Sequence, residues 1–172
     1  MKRKAGKKSA PAPVAADSVK VVGTAEAPAT KVWDITQVKS ETGADGVVRI
    51  KGYANTKGNK DRYGDIPTVF QKLRPYVYEL KDFVKNPVML INHDNDVRSI
   101  AGSFEVLRED DIGLYFEAAF SKSDFPPIAH ARTVYAEGHG KALSIAGRWF
   151  FEDEDHAEHL TLAEIMEISL VG

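Results

Sequence analysis

The sequence has 172 residues, of which 43% are hydrophobic and 28% are charged, so its length and composition suit one soluble globular domain. Its formal net charge of −2 gives no overall positive field that would indicate nucleic-acid binding. The absence of cysteine excludes disulfides, thiolate catalysis and cysteine-ligated zinc, and it is typical of a reducing compartment. A membrane-spanning helix requires about 20 consecutive apolar residues, and no apolar run in the sequence is that long. We therefore expect a protein that acts in the cytoplasm where it is made.

Residues 1–30 differ in composition from the rest of the chain. Five early basic residues are followed by an Ala/Pro-rich stretch without aromatic residues. Such a segment cannot bury enough apolar surface to offset its ordering entropy, and no apolar segment follows the basic start as it would in a secretory signal. We predict a flexible basic tail at residues 1–30 and one domain at residues 31–172. The lysines of the tail either keep the chain soluble or bind an acidic partner.

From Val32 onward, short apolar runs alternate with turn signals, a pattern that is typical of β-strands. We predict strands at Val32–Val38, Val47–Ala54, Val88–His93, Ile100–Leu107, Leu114–Phe120, Ala142–Phe151 and Leu160–Val171. The third of these ends in the polar sequence Asn92-His93-Asp94. We expect a buried strand that presents a polar tip.

Two segments are predicted as helices. Apolar residues from Val69 to Val84 recur at about 3.6-residue spacing, and Pro75 is expected to kink or split that helix. The second segment runs from about Pro126 to Glu137, with prolines in its first turn and Gly138 at its end. Several strands with two inserted helices predict an α+β or barrel-like domain.

Three polar residues in apolar strand surroundings are candidates for chemistry. His93 ends a predicted strand, Ser144 lies within the next-to-last strand, and Glu167 lies in the final one. A serine hydroxyl needs a base within hydrogen-bond reach, and imidazole has a pKa near the working pH. A carboxylate can hold the imidazole in the required tautomer. Spacing alone does not establish catalysis, because all three residue types also occur at purely structural positions.

Other acidic residues are alternatives for the carboxylate. Asp61 and Asp65 both remain possible. Asp94 is a poor candidate, because neighbours in an extended strand face opposite sides. Glu164, three residues before Glu167, is expected on the opposite face of a regular strand.

Arg148 is a candidate for stabilising the oxyanion that develops during acyl transfer. In a regular strand it shares one face with Ser144 and Ala146. It would act through its backbone or through a water. The alternative interpretation is a surface arginine.

The acidic segment near residue 155 has the spacing of metal ligands. It contains His156 and His159, together with Asp153, Asp155 and Glu158. These residues would form a metal site only if the loop were helical, and a solvated acidic loop is the simpler interpretation. We predict no metal and no cofactor.

Several short motifs follow one another in a definite order. They are Gly52-Tyr53-Ala54, Asp61, Gly64-Asp65, Asn92-His93-Asp94, the run from Gly113 to Ala118, the run from Ala142 to Gly147, and Leu162 with the run from Glu167 to Val171. Each motif is short, but their joint order over residues 47–171 resembles the tailed-phage prohead protease family. Carried over by position, the family's histidine falls on His93, its serine on Ser144 and its acidic member on Glu167. The herpesvirus relatives have a second histidine at the third position, where this sequence has none.

The resemblance implies a fold similar to the herpesvirus assemblin, which is an α+β domain with a small, mostly antiparallel β-barrel flanked by helices. It implies a serine endopeptidase enclosed in the immature capsid, within the host cytoplasm. The substrates would be scaffold protein, the scaffold-like segment of the major capsid protein, and the protease itself by autocleavage. Such a reaction requires no cofactor, and the composition and charge of the chain indicate neither a membrane nor a specific nucleic acid as partner. The herpesvirus relatives work as dimers, but the sequence fixes neither the oligomeric state nor the cleavage-site preference.

The sequence departs from the family pattern around the serine. Family members often have Gly-Leu-Ser-Ile-Gly, whereas this chain has Ala142-Leu143-Ser144-Ile145-Ala146, which gives less backbone freedom near the oxyanion. The sequence also stops at Gly172, where family members usually continue, and this favours a truncated or self-processed form. Two alternative functions stay open. One is a non-catalytic capsid assembly factor that binds scaffold, and the other is a metal-dependent hydrolase that uses the acidic, histidine-containing loop.

Overall fold

A computed structural model of the protein describes residues 21–24, 27–34, 36–60, 64–68, 75–152 and 158–172, and it describes no side chains at residues 31–38. The strands in this part of the chain are β1 (Val21–Val22), β2 (Ala29–Asp34), β3 (Thr36–Thr42), β4 (Val48–Thr56), β5 (Ile66–Pro67), β6 (Tyr78–Glu79), β7 (Val88–Ile91), β8 (Ile100–Glu109), β9 (Gly113–Phe120), β10 (Ala142–Phe151) and β11 (His159–Val171). Among the same residues there is one α-helix, α1 (Pro126–Ala136), and there are 3₁₀ turns at Phe83–Lys85 and Val97–Ser99.

All the strands belong to one sheet, in the order β1-β10-β11-β7-β8-β9-β4-β3. Strand β2 also pairs with β10, and β5 and β6 pair with β11. The protein is therefore mostly β with one helix in its described part, which fits the predicted α+β class. The predicted closed barrel is not supported. Closure would need pairing between the two ends of the sheet, and one end is the two-residue strand β1.

The hydrophobic core lies on one face of the long strands. Leu143, Ile145 and Trp149 alternate along β10 and are fully buried within this core. Because successive residues of a strand point to opposite sides, Ser144 and Arg148 lie on the other face of β10. The long strands thus separate an apolar face from a face that carries polar groups.

The second predicted helix is confirmed as α1. Its residue Tyr135 is buried, and the Tyr135 hydroxyl lies 2.5 Å from the carbonyl oxygen of Ala142 and 3.0 Å from that of Val171. Burial raises the pKa of Tyr135 to about 12. The helix is therefore anchored where β10 begins and β11 ends.

The prediction of a first helix from Val69 to Val84 is wrong in the part of this segment that the structure describes. Its later part contains β6, which runs alongside β11, and residues 69–74 lie outside the described residues. The carboxylate of Glu109 accepts hydrogen bonds from the backbone N–H of Val77, at 2.9 and 3.0 Å, and from that of Tyr78, at 2.8 Å. These bonds stabilise an extended backbone where apolar spacing predicts a helix. Glu109 is itself paired with Lys57 at 2.6 Å.

The segment predicted as a tail contains strand residues. Val21 and Val22 pair with Phe150 and Trp149 of β10, and the indole N–H of Trp149 donates to the carbonyl of Ala29 at 2.8 Å. The fold therefore includes residues before position 31, which was the predicted domain boundary. Residues 1–20 lie outside the described part of the chain.

Candidate active site

His93 follows β7 in a backbone conformation that few side chains adopt. Asn92 and His93 have φ angles of 52° and 59°, in the left-handed region. The turn is held by a hydrogen bond from the Asn92 N–H to the Leu170 carbonyl, at 2.9 Å, and by one from the His93 N–H to Ser169 Oγ, at 3.1 Å. Such strain costs about 1–3 kcal/mol per residue and clusters at functional sites. The strained backbone of this turn therefore supports a functional role for His93.

Glu167 contacts the imidazole of His93. Its Oε1 lies 2.8 Å from His93 Nδ1, and the two side chains are only 23% and 25% exposed, respectively. Because a carboxylate only accepts hydrogen bonds, this contact favours a proton on Nδ1 and leaves Nε2 of the neutral ring as an acceptor. That is the tautomer which a general base needs.

Ser144 is fully buried in β10. It pairs with Ser169 of β11, and Ala146 pairs with Glu167. Paired residues of antiparallel strands share a face and have Cβ atoms about 5 Å apart. Ser144, Ser169 and Glu167 therefore lie on the same face of the β10–β11 pair. Since β11 also pairs with β7, the structure brings His93 and Glu167 into contact beside the strand that carries Ser144.

A β-bulge decides which acidic residues of β11 face this side. The register shifts between Ala146 and Gly147, and Met166 is the extra residue in β11. Glu164 and Glu167 consequently share a face, so the predicted opposite orientation is wrong because it assumed a regular strand. A Cβ on Gly147 would lie 2.2 Å from the Glu164 carbonyl oxygen. Glycine is thus required for this close approach.

Arg148 lies on the same face as Ser144. Its guanidinium forms an ion pair with Glu164 and lies 5.8 Å from the ring centroid of Phe150. The side chain is therefore held by a neighbouring carboxylate. A role of Arg148 at the oxyanion stays a prediction.

The loop after His93 is ordered by its own hydrogen bonds. Asp94 accepts from the Ser99 hydroxyl at 2.6 Å. Asp96 accepts from the backbone N–H of Arg98 at 2.8 Å and from its guanidinium at 2.9 and 3.0 Å. The hydrogen bonds from the Arg98 side chain and backbone lower the pKa of Asp96 to about 2. Asp94 thus bonds within its own loop.

The two aspartates predicted as alternative carboxylates are not seen beside His93: one lies away from the His93–Glu167 pair, and the other lies outside the described residues. Asp65 is buried just before β5, which pairs with the start of β11, whereas Glu167 lies near the end of that strand. Asp61 lies outside the described residues.

His159 of the predicted acidic loop is paired with glutamates. Its Nδ1 lies 2.8 Å from Glu152 Oε2, and its Nε2 lies 3.7 Å from Glu158 Oε1. In the part of the chain that the structure describes, no group of histidine and carboxylate side chains is arranged to hold a metal ion. The remaining members of the predicted ligand set, Asp153, Asp155 and His156, lie outside that part.

Ser169 belongs to the site, although the sequence prediction gives it no role. It is fully buried, it accepts a hydrogen bond from the His93 N–H, and it donates to Glu167 Oε1 at 2.5 Å. The sequence does carry a signal for it. Ser169 is a polar residue two positions after Glu167, and this spacing in a strand places both side chains on one face.

A cleft of about 460 Å³ opens beside Glu167. Apolar side chains from the 3₁₀ turn, β7 and the bulge contribute to its walls, among them Phe83, Leu90 and Met166. Asn95, from the loop after His93, contributes a polar group. The cleft therefore offers mixed apolar and polar surface next to the His93–Glu167 pair.

Comparison with known proteins shows first the fold and then the family. The structure of the bacteriophage T4 capsid assembly protease, gp21, is similar, with a TM-score of 0.58 and 12% identity over 90% of this chain and 99% of that chain. At this identity the likeness shows a shared fold. The family described as caudovirus prohead serine protease matches residues 34–172, which is more than half of the chain. The chain therefore belongs to the caudovirus prohead serine protease family, a family of bacteriophage serine proteases of capsid maturation.

The family resemblance inferred from the sequence motifs is thus confirmed. No curated protein matches the chain in sequence. Among the described residues, no helix is long and apolar enough to span a membrane.

Proposed function

We propose that the protein is a serine endopeptidase that cleaves scaffold protein or the scaffold-like segment of the major capsid protein, and also itself. It would act inside the immature capsid in the host cytoplasm. Membership of the prohead serine protease family supports a role in capsid maturation. The observation that carries the catalytic assignment is the 2.8 Å contact between His93 Nδ1 and Glu167 Oε1, next to the strand of Ser144.

In the proposed reaction, His93 Nε2 takes the proton of the Ser144 hydroxyl while Oγ attacks the scissile carbonyl carbon. Glu167 orients the imidazole and stabilises the imidazolium. His93 then gives the proton to the leaving amine, and an acyl-enzyme ester remains on Ser144. Backbone amides near Ser144 stabilise the oxyanion, with Arg148 as a further candidate. Water, deprotonated by His93, hydrolyses the ester and regenerates the serine.

The burial of Ser144 bears on when this reaction can run. Its side chain is 0% exposed, and its strand is paired on one side with β11 and on the other with β2, where Val32 lies opposite Ser144. A protein substrate must reach this hydroxyl. We therefore propose that the described form is a closed one, and that capsid assembly opens a path from the cleft beside Glu167.

Co-production with the capsid and scaffold proteins of the same phage tests the proposal. We expect the wild-type chain to yield shortened capsid or scaffold protein, and Ser144→Ala to leave both at full length, as measured by mass spectrometry. Ser103→Ala, which changes an exposed serine on β8, is the matched control and should still process them. Shortened products with Ser144→Ala would contradict the assignment of the nucleophile.

A non-catalytic assembly factor is the second candidate, and the complete burial of Ser144 favours it. It predicts that capsid and scaffold proteins stay at full length with the wild-type chain, and that the wild-type and Ser144→Ala chains support equal yields of proheads. The two candidates therefore differ in the mass of the products and in the effect of one substitution.

A further inference from the structure

Ser169 closes a ring of hydrogen bonds that begins and ends at His93. The His93 N–H donates to Ser169 Oγ at 3.1 Å, the Ser169 hydroxyl donates to Glu167 Oε1 at 2.5 Å, and the same Oε1 lies 2.8 Å from His93 Nδ1. We propose that Ser169 is a positioning residue of the protease, which fixes both the backbone and the imidazole of His93. This inference rests on the proposed function, because it assigns Ser169 a task in that reaction.

The backbone of His93 needs such a partner. His93 and the residue before it, Asn92, both have left-handed φ angles, which a chain adopts only when its surroundings stabilise them. The Asn92 N–H is bonded to the backbone of β11, but the His93 N–H is bonded to a side chain, Ser169. Removing this hydroxyl removes the acceptor that holds the strained residue against β11.

The carboxylate of Glu167 needs positioning as well. A glutamate has several rotatable bonds, and this side chain is still 23% exposed, so one contact to a histidine does not fix its rotamer. Ser169 donates to the very oxygen that faces the imidazole. Ser169 therefore holds the Glu167 carboxylate in the position that orients the imidazole.

Ser169 acts through these neighbours and not on the substrate. It is fully buried in β11, directly opposite Ser144 in the register with β10. Its hydroxyl donates its single proton to Glu167 while it accepts from His93. Ser169 therefore lies between β10, the strand that carries Ser144, and the two groups that it positions, the His93 backbone and the Glu167 carboxylate.

Replacing Ser169 with Ala is the test, and Thr161 supplies a matched control. The Thr161 hydroxyl is also buried in β11, and it donates to the Phe150 carbonyl at 3.1 Å, far along the strand from His93. For Ser169→Ala we expect the rate of capsid-protein processing to fall by about 10²-fold, as for a misplaced catalytic group. Thr161→Val should lose stability but process the capsid protein at nearly the wild-type rate. Ser169→Thr keeps the hydroxyl and should recover most of the rate.

A spectroscopic readout separates positioning from stability. A carboxylate-bonded imidazole proton gives a low-field proton NMR signal, which Glu167→Gln would assign to His93 Nδ1–H. We expect this signal to broaden or disappear in Ser169→Ala and to persist in Thr161→Val. If Ser169→Ala does not fold, Ser169→Cys keeps the size with a weaker donor, and it should show an intermediate rate and a weakened signal.

Two results would overturn the inference. One is wild-type processing or an unchanged His93 signal in Ser169→Ala. The other is an equal loss of processing in Ser169→Ala and Thr161→Val, which would assign the effect to stability alone. Continued processing by Ser144→Ala would instead overturn the proposed function, and the His93 signal would still show whether Ser169 positions the ring.

Discussion

Both faces of the β10–β11 pair are fully buried next to the candidate serine, but they are built differently. One face carries apolar side chains such as Leu143 and Ile168, and the other carries Ser144 and Ser169, and all four are 0% exposed. An apolar face accepts any side chain of suitable volume and shape, whereas a hydrogen-bonded network depends on each donor and acceptor. Substitutions on the apolar face should therefore change mainly stability, and those on the polar face mainly activity.

Apart from replacement of Ser144 itself, the largest expected effect on the polar face comes from Glu167→Gln. The amide is nearly the same size, but it can donate to His93 Nδ1 and so stabilise the tautomer that leaves Nε2 protonated. We expect the initial rate of capsid-protein processing to fall by about 10⁴-fold, as when the carboxylate of a catalytic triad becomes an amide. The rate is measured on the co-assembled particle by mass spectrometry against time.

Glu164→Gln is the matched control for this change, because Glu164 lies on the same face of β11 and its described ion pair is with Arg148. It should keep most of the activity. Equal losses of processing rate in Glu164→Gln and Glu167→Gln would mean that activity depends on negative charge on this face and does not depend on the orientation of His93.

The largest expected effect on the apolar face comes from Ile168→Ala. Ile168 is 0% exposed within the core cluster and lies between Glu167 and Ser169 in the same strand. Truncation of such a side chain costs about 2–5 kcal/mol of the free energy of unfolding. Urea unfolding measures this loss, and the processing rate of the folded fraction should stay close to that of the wild type. A folded Ile168→Ala protein with the activity of Glu167→Gln would break the distinction between the faces.

The sequence predicts regular strands better than the site they carry. Strand β10 has its predicted bounds, Ala142–Phe151, because its apolar and small residues extend between clear turn signals. Strand β7 ends at Ile91, earlier than predicted, because Asn92 and His93 turn into the left-handed region. That turn depends on acceptors supplied by β11, far along the sequence, so local pattern cannot reveal it.

The wrong predictions for Glu164 and for the first helix have the same cause, which is contact with residues far along the sequence. The bulge at Met166 puts Glu164 on the site's face, and it depends on a close approach to Gly147 in another strand. Likewise, the chain is extended where β6 begins, because Glu109 of β8 accepts hydrogen bonds from the backbone N–H groups of Val77 and Tyr78. The resemblance indicates His93, Ser144 and Glu167, whereas the spacing of Ser169 from Glu167 shows only a shared face. Its contact with His93 depends on how β7 lies beside β11.

The smallest expected effect concerns a polar group on the apolar side, the hydroxyl of Tyr135. It lies within hydrogen-bond distance of the Ala142 and Val171 carbonyls, so Tyr135→Phe should cost about 1–3 kcal/mol of the free energy of unfolding. The variant should process the capsid protein normally, since its contacts are at the ends of the strands.

The pH dependence of stability makes this prediction sharper. Burial raises the pKa of Tyr135 to about 12, above its ordinary value near 10, so the folded chain keeps a proton that the unfolded chain loses. Its contribution is therefore complete below pH 10 and declines as the pH rises from 10 towards 12. Urea unfolding at several alkaline pH values should show a shallower decline in Tyr135→Phe than in the wild type. A decline remains in the variant, because burial also raises the pKa of Tyr78. Identical declines in the two proteins would show that the hydroxyl of Tyr135 ionises as freely in the folded chain as in the unfolded one, and that this end of the apolar face is not dry.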